Sequence, residues 1–215
     1  MNKSELRKSL RQRRATIGRT ERRRAAVSLT RNALRHGLLT RYQRIGIYLA
    51  HGAEISTLPL INRALMLKRA CYLPMLSFGR GRMLWFNRLQ AGQTWVANRF
   101  GIPENTTTQQ LHARQLDLLF MPLVGFDGSG NRIGMGGGFY DTTLAYLRRR
   151  QVWRKPFLVG VAFECQRING ELPHDPWDVP LDAVLTEQGL YRFRRRNTLP
   201  APQDHPSASP PHLRW

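Results

Sequence analysis

The stretch from Leu116 to Asp141 constrains this chain more than any other. Its first part, Leu116 to Val124, is apolar apart from Asp117. It leads through a turn, Phe126-Asp127-Gly128-Ser129-Gly130-Asn131, to four glycines in the five positions 134–138. A strand buried on both faces needs a nearly continuous apolar run, as in a parallel sheet covered by helices. Beyond the glycines, Leu144 and Leu147 predict a helix over Thr142 to Arg150, with Asp141 at its start. A strand passing through such a loop into a helix lets backbone N–H groups approach an anion closely, and the helix N-terminus adds positive partial charge. A plain connection needs only a few residues and one glycine, so the stretch reads as a phosphate cradle. Its type stays open at this level. No lysine follows the glycines as a Walker loop requires, and Phe139 stands where a dinucleotide fingerprint has its third glycine.

The rest of the chain supplies the layers. Residues 3–37 predict two helices, the first with Leu6, Leu10 and Ile17 in an apolar stripe. Thr20 is a candidate cap for the second, which carries Ala25, Val27, Leu29 and Leu34. The arginines on both helices read as solvated faces. Ile45, Ile47 and Leu49 alternate in a strand from Arg44 to Ala50; a loop, His51 to Thr57, leads to a helix from Leu58 to Leu67 with Thr57 as its cap. Further strands are predicted at Ala70–Met75, Met83–Phe86 (with Trp85 and Phe86 in the core), Phe157–Phe163 and Asp182–Thr186, and residues 105–115 form a polar connection. Strands alternating with helices predict an α/β fold with a mainly parallel sheet, whose ligands bind beyond the carboxyl ends of the strands. From Arg194 the chain turns to arginines, prolines and serines, which predicts an ordered domain over 1–193 and a disordered tail over 194–215.

Charge and cysteine usage narrow the function. The formal net charge of +20 over 215 residues points to anionic partners. No RNP-type motif or zinc-finger spacing accompanies it, and the cations are spread along the chain, so nucleic-acid binding is the weaker reading. No apolar run approaches the roughly 20 residues of a membrane span, and no secretory h-region follows the N-terminus. Cys71 and Cys165 read as small core residues rather than a disulfide framework, so a cytoplasmic protein is expected.

Arg132-Ile133-Gly134-Met135-Gly136-Gly137-Gly138-Phe139-Tyr140-Asp141 resembles the arginine-leucine-glycine-arginine-glycine-lysine-glycine-tyrosine-tyrosine-aspartate segment of the 5-formyltetrahydrofolate cyclo-ligases, also called 5,10-methenyltetrahydrofolate synthetases. Met135 and Gly137 replace that pattern's arginine and lysine, and Phe139 replaces its first tyrosine. Lys3-Ser4-Glu5-Leu6-Arg7 is similar to the family's opening lysine-x-x-leucine-arginine. Phe100 to Asn105 and Leu172 to Asp182 resemble later family segments.

The resemblance implies a three-layer, Rossmann-like architecture and a set of roles. ATP would meet Lys3, Arg7, Arg132, Ile133, Gly134, Met135, Gly136, Gly137, Gly138, Phe139 and Tyr140. The reduced folate would meet Leu49, Glu54 and the loop from Met135 to Phe139. Asp141 and Asp178 would hold Mg2+, and Arg132 would be catalytic. Structural roles stand beside these: Glu54 as an acid at a helix start, Asp141 as a first-turn carboxylate, Phe139 and Tyr140 packing on the sheet. His174 is a loop histidine without a supporting partner, and no role is assigned to Glu164-Cys165-Gln166. The implied reaction is ATP-dependent ring closure of 5-formyltetrahydrofolate by a monomer. The alternatives are a folate or nucleotide sensor that has lost turnover through the changed loop, and a basic RNA-binding protein.

Overall fold

A computed structural model describes residues 2–76, 81–98, 101–105, 109–149 and 155–193. Phe100 and the tail from Arg194 therefore lie outside the described residues, as does any statement about order in that tail.

The first helix, α1 (Lys3–Ala15), starts from a capping box. The Asn2 side chain accepts from the Glu5 N–H at 2.9 Å, and the Glu5 carboxylate accepts from the Asn2 N–H at 3.0 Å. The cap fixes where the helix begins and so where Lys3 stands. A second helix, α2 (Arg19–Arg35), begins at Gly18, so Thr20 is inside the helix rather than its cap. Strand β1 covers only Arg44–Gly46, and the chain beyond it, through Leu49, already belongs to the site. Helix α3 (Leu58–Met66) comes next, then β2 (Ala70–Leu76) and β3 (Leu84–Arg88). Thr57 occupies the N-cap position of α3, but its hydroxyl donates to the Tyr48 carbonyl at 2.6 Å instead of capping.

Two short strands, β4 (Trp95–Ala97) and β5 (Pro103–Asn105), pair as a ribbon. After β6 (Gln110–Leu111) comes the central strand β7 (Leu118–Pro122). The expected turn after it is the loop of a hairpin between β8 (Gly125–Phe126) and β9 (Arg132–Ile133). Asp127 shapes that turn: buried, it accepts from the N–H groups of Ser129, Asn131 and Leu172, each at 2.9 Å. The predicted helix over 142–150 instead begins earlier, as α4 (Phe139–Thr143), and tightens into a 3-10 turn at Ala145–Arg149. Strands β10 (Phe157–Val161), β11 (Ala183–Leu185) and β12 (Leu190–Arg192) complete the chain.

Eight strands form one sheet in the order β12-β11-β10-β7-β1-β2-β3-β6. The pairings from β11 through β10, β7 and β1 to β2 are parallel; β12, β3 and β6 join antiparallel at the two sides. The strand order reverses at β1, which has β2 on one side and β7 on the other, and such a reversal opens a crevice at the carboxyl ends.

Alternation along β7 explains the two apolar layers. Leu118 and Phe120 face the core shared with α2 and α3, while Leu119 and Met121 face the core closed by Leu144 and Leu147. Close packing fixes two glycines in the parallel region: a Cβ on Gly46 would lie 2.7 Å from Leu116 and Leu119, and one on Gly160 would lie 2.5 Å from Leu123. A third cluster seats α1: Leu6 and Leu10 pack on Val124, Ile133 and Leu172, each leucine contributing about 2 kcal/mol of apolar burial.

Further expectations about side chains fail: Val27 is exposed on α2, and Trp85 is only half-buried while Phe86 is in the core. Cys165 is exposed on a 3-10 turn, Glu164–Gln166, because β10 ends at Val161. Arg14 is not on a solvated face; it is 5 % exposed.

Candidate active site

A cavity of about 1050 Å³ opens beyond the carboxyl ends of β1, β2 and β7. That is at or above the upper end of the usual range for one small-molecule site, which suits two co-substrates side by side. It is walled by α1, by the segment after β1, by the glycine loop and by the loop carrying Asp175 and Asp178. All of Lys3, Arg7, Leu49, Glu54, Arg132 through Asp141, and Asp178 line it, so the residues that the resemblance implies do converge.

The glycine loop owes its path to two residues in the left-handed region, Gly136 at φ +95° and Gly138 at φ +69°. Arg7 reaches it from α1: its Nε donates to the Gly134 carbonyl at 2.9 Å, and a Cβ on Gly136 would lie 3.7 Å from its guanidinium carbon. Helix α4 has only five residues, so its dipole is small, and positive potential here must come from loop amides and nearby cations. Met135 is exposed.

Two ion pairs flank the loop. Arg132, buried, donates from Nη2 to Asp141 Oδ1 at 2.7 Å, and the Val179 N–H reaches the same oxygen at 3.3 Å. Lys3 Nζ bridges Asp175 at 2.6 Å and Asp178 at 3.0 Å. Burial pulls the Lys3 ammonium down, but the two carboxylates outweigh it and hold its pKa above the ordinary value. Each carboxylate that the resemblance assigns to Mg2+ thus carries a protein cation. Among the described residues no three His, Cys, Asp or Glu side chains gather into a metal cage. Mg2+ rarely uses such a cage; it takes one or two carboxylates together with substrate phosphates. Asp141 and Asp178 are hard oxygen donors on segments joined by the Val179 contact, and they fit that use if the cations exchange partners.

The other end of the cavity is enclosed. Tyr48 is buried and Leu49 half-buried. Glu54 accepts from the His51 N–H at 3.0 Å through Oε2, while Oε1 lies 4.0 Å from Arg14 Nη1. Burial pushes the Glu54 carboxyl up; the His51 N–H and the Arg14 charge oppose the shift. Burial, and then the Glu54 charge, raise both the Tyr48 and the Tyr140 phenols. Phe139 and Tyr140 pack against the second core layer and line the cavity at once, so both readings of this aromatic pair hold.

Sequence reasoning missed Tyr48, Arg14 and Asp175. It left Glu164-Cys165-Gln166 without a role, and packing gives two of them one: Gln166 Nε2 donates to the Leu123 and Val124 carbonyls at 2.9 Å, and Glu164 accepts from Thr186 and Tyr191. His174 Nδ1 lies 3.4 Å from the Leu172 carbonyl, a local contact.

Residues 1–187 match the model of the 5-formyltetrahydrofolate cyclo-ligase family. The chain belongs to that family. It is 37 % identical to the 5-formyltetrahydrofolate cyclo-ligase of Haemophilus influenzae over 187 residues, 85 % of this chain and 96 % of that one. The mouse cyclo-ligase is 30 % identical over 189 residues, 85 % of this chain and 92 % of that one. Among solved structures, the 5,10-methenyltetrahydrofolate synthetase of Aquifex aeolicus superposes with a TM-score of 0.77 at 28 % identity, covering 95 % of this chain and all of that one. The α/β architecture of the cyclo-ligases is therefore the architecture found here. Among the described residues no helix is long and apolar enough to cross a membrane.

Proposed function

We propose that the protein converts 5-formyltetrahydrofolate and ATP to 5,10-methenyltetrahydrofolate, ADP and phosphate. One observation carries the reading: in a member of the cyclo-ligase family, Lys3, Arg7, Arg132, the glycine loop and Glu54 line a single cavity.

The chemistry needs alignment more than a covalent nucleophile. The formyl oxygen of the folate attacks the γ-phosphorus, the bond to ADP breaks, and an N5 iminium phosphate forms. N10 then attacks the former formyl carbon, the carbon–oxygen bond breaks, phosphate leaves with that oxygen, and the N10 proton passes to solvent. Phosphorylation has turned a poor leaving group into a good one. Arg132 faces the transferred charge as the catalytic cation, with Lys3, Arg7 and the loop amides from Gly134 to Gly138 along the phosphates. A forked guanidinium and a compact ammonium both suit phosphate oxygens. Glu54 accepts from the pterin's amino and ring N–H groups, and Leu49 and Phe139 pack on its flat faces. Asp141 and Asp178 would hold Mg2+, which would supply neutralisation of phosphate charge. Lys3 and Arg132, now paired with carboxylates, are the cations placed to turn to the nucleotide.

Residues 1–193 are the catalytic unit, a monomer that works in the cytoplasm, where reduced thiols such as Cys71 and Cys165 persist. Absorbance-monitored formation of the methenyl product, on the full chain and on residues 1–193, tests the reading. Equal, ATP- and Mg2+-dependent rates are expected; a folded sample that forms no product sinks it. Asp141→Asn is expected to raise the Mg2+ concentration for half-maximal rate about tenfold, and an unchanged Mg2+ curve would remove Asp141 from the metal site. The changed loop residues Met135 and Gly137 favour one second reading, a folate or nucleotide sensor, which would bind folate without turning it over.

A further inference from the structure

Arg14 is a buried cation that the proposed chemistry leaves unused. It stands near the C-terminal end of α1, behind the cavity wall, 5 % exposed. Its Nε is fully buried without a hydrogen-bond partner. A buried charge in that condition is costly, and a buried polar atom without a partner calls for a structural reason. The nearby backbone acceptors are already taken by Arg22, whose guanidinium donates to the carbonyls of Arg14, Ala15, Ile17 and Ala53 at 2.7–3.2 Å. Arg14 therefore faces Glu54, whose Oε1 lies 4.0 Å from Nη1, just outside hydrogen-bond reach.

Glu54 is held at one oxygen only. Oε2 is fixed by the His51 N–H at 3.0 Å, and the carboxylate lines the cavity. From the geometry we propose that Arg14 is a positioning residue for the folate: it keeps Glu54 charged and turned toward the cavity, and the pair closes to a hydrogen bond when the pterin takes the carboxylate. The inference rests on the proposed folate chemistry. A carboxylate accepts at both oxygens, whereas a protonated acid presents a donor that would meet the pterin's own N–H groups head-on. The groups facing Glu54 are Arg14 on α1, the Tyr48 phenol beyond β1, His51 on its own loop and the Tyr140 phenol on α4, with Arg22 and Arg11 acting on Arg14. Burial lowers the Arg14 pKa and the Glu54 charge opposes that shift, so each partner maintains the other's charge.

The test compares Arg14→Met with Arg14→Lys. In Arg14→Met the KM for 5-formyltetrahydrofolate is expected to rise about tenfold, the loss of one charge-assisted contact, with the KM for ATP within about twofold. Arg14→Lys should recover most of the loss. Removing the cation lets burial push Glu54 further up, so the acid limb of kcat/KM for the folate should move to higher pH. A parallel rise in both KM values, or an unmoved acid limb, would overturn the proposal. If Arg14→Met does not fold, the cycle of Arg14→Gln with Glu54→Gln keeps it exposed: additive losses in folate KM would mean no coupling and end it. Carboxyl NMR of Glu54 in wild type and Arg14→Gln reads the pair without turnover. An inactive wild type would count against the folate reaction, whereas an identical Glu54 titration in the two proteins would count against the pairing alone.

Discussion

At one end of the cavity the cations stand at helix and loop edges and are already engaged: Lys3 with Asp175 and Asp178, Arg132 with Asp141, Arg7 with the Gly134 carbonyl. At the other end, Arg14 and Glu54 are enclosed, and Arg14 Nε has no hydrogen bond. The first arrangement suits a ligand that arrives with its own charge. Phosphates and Mg2+ can exchange one ion pair for another: the partly exposed Lys3 pairs are weak enough to trade, and buried Arg132 would trade one anionic partner for another. The second suits a neutral ring system read by hydrogen bonds, where an acceptor must be held ready in a low-dielectric pocket. On the proposed reading the phosphates would thus be bound by exchange and the pterin by preorganisation.

Single substitutions break or sharpen that contrast. The largest effect is expected from Glu54→Gln, which keeps the shape and loses the charge: kcat/KM for the reduced folate should fall about a hundredfold while the KM for ATP stays within about twofold. Steady-state kinetics in each substrate checks it, and equal losses in both would erase the division between the ends. Arg7→Ala should do the converse, costing about tenfold or more in kcat/KM for ATP. Arg13→Ala, an exposed neighbour on α1, should change it by less than about twofold. Equal, small effects would take Arg7 out of the site.

Met135→Arg restores a cation at an exposed loop position and should lower the KM for ATP by about two- to fivefold. Gly137→Lys is the less clean version, because a Cβ there would come within 2.8 Å of the Phe139 ring. No change in nucleotide affinity for Met135→Arg would mean that the loop amides and helix cations already saturate the phosphates.

The smallest effect on activity is expected from Asp117→Asn, at the amino ends of the strands and away from both subsites. Burial raises the Asp117 carboxyl, but Lys155 and the Arg44 N–H and guanidinium outweigh it and hold the pKa at about 2, the opposite of Glu54. A depressed carboxylate stabilises the fold above its unfolded pKa of about 3.9 and loses that contribution as pH falls toward 2. Asp117→Asn should therefore lower stability by about 1 kcal/mol at pH 7 and by much less near pH 2, where the carboxylate is being protonated, with kcat/KM intact. Thermal melts at both pH values measure it.

Much of this molecule was legible in its residues, unevenly. The parallel centre could be read because Leu118 to Met121 and Phe157 to Val161 are apolar on both faces, and a cavity-lining loop because four glycines exceed what a turn needs. The edges could not: β4, β6 and β12 are two or three residues long, and pairing rather than pattern makes them strands. At the site, Lys3, Arg7 and Glu54 were legible through family likeness. Arg14 was not, although a clue existed. The apolar stripe Leu6, Leu10, Ile17 has a vacancy one turn after Leu10, and Arg14 fills it. Residue type argued for solvent, and position argued for the interior; position prevailed because Glu54, distant in sequence, lies opposite. Asp175 was hidden for a similar reason, since only the fold brings it to Lys3.

The spacing of Lys3, Arg7 and Arg14 on α1 has one more consequence. At 3.6 residues per turn the three positions point within about 40° of one another, and they span about 16 Å along the axis. On the proposed reading, a single rigid rod with a capped origin would thus act as a gauge, setting the distance between the nucleotide contacts and the pterin contact. Adding one residue between Arg7 and Arg14 would swing the far mark by about 100° without touching the near one. The two substrates would then be measured against different rulers, each bound and neither aligned with the other.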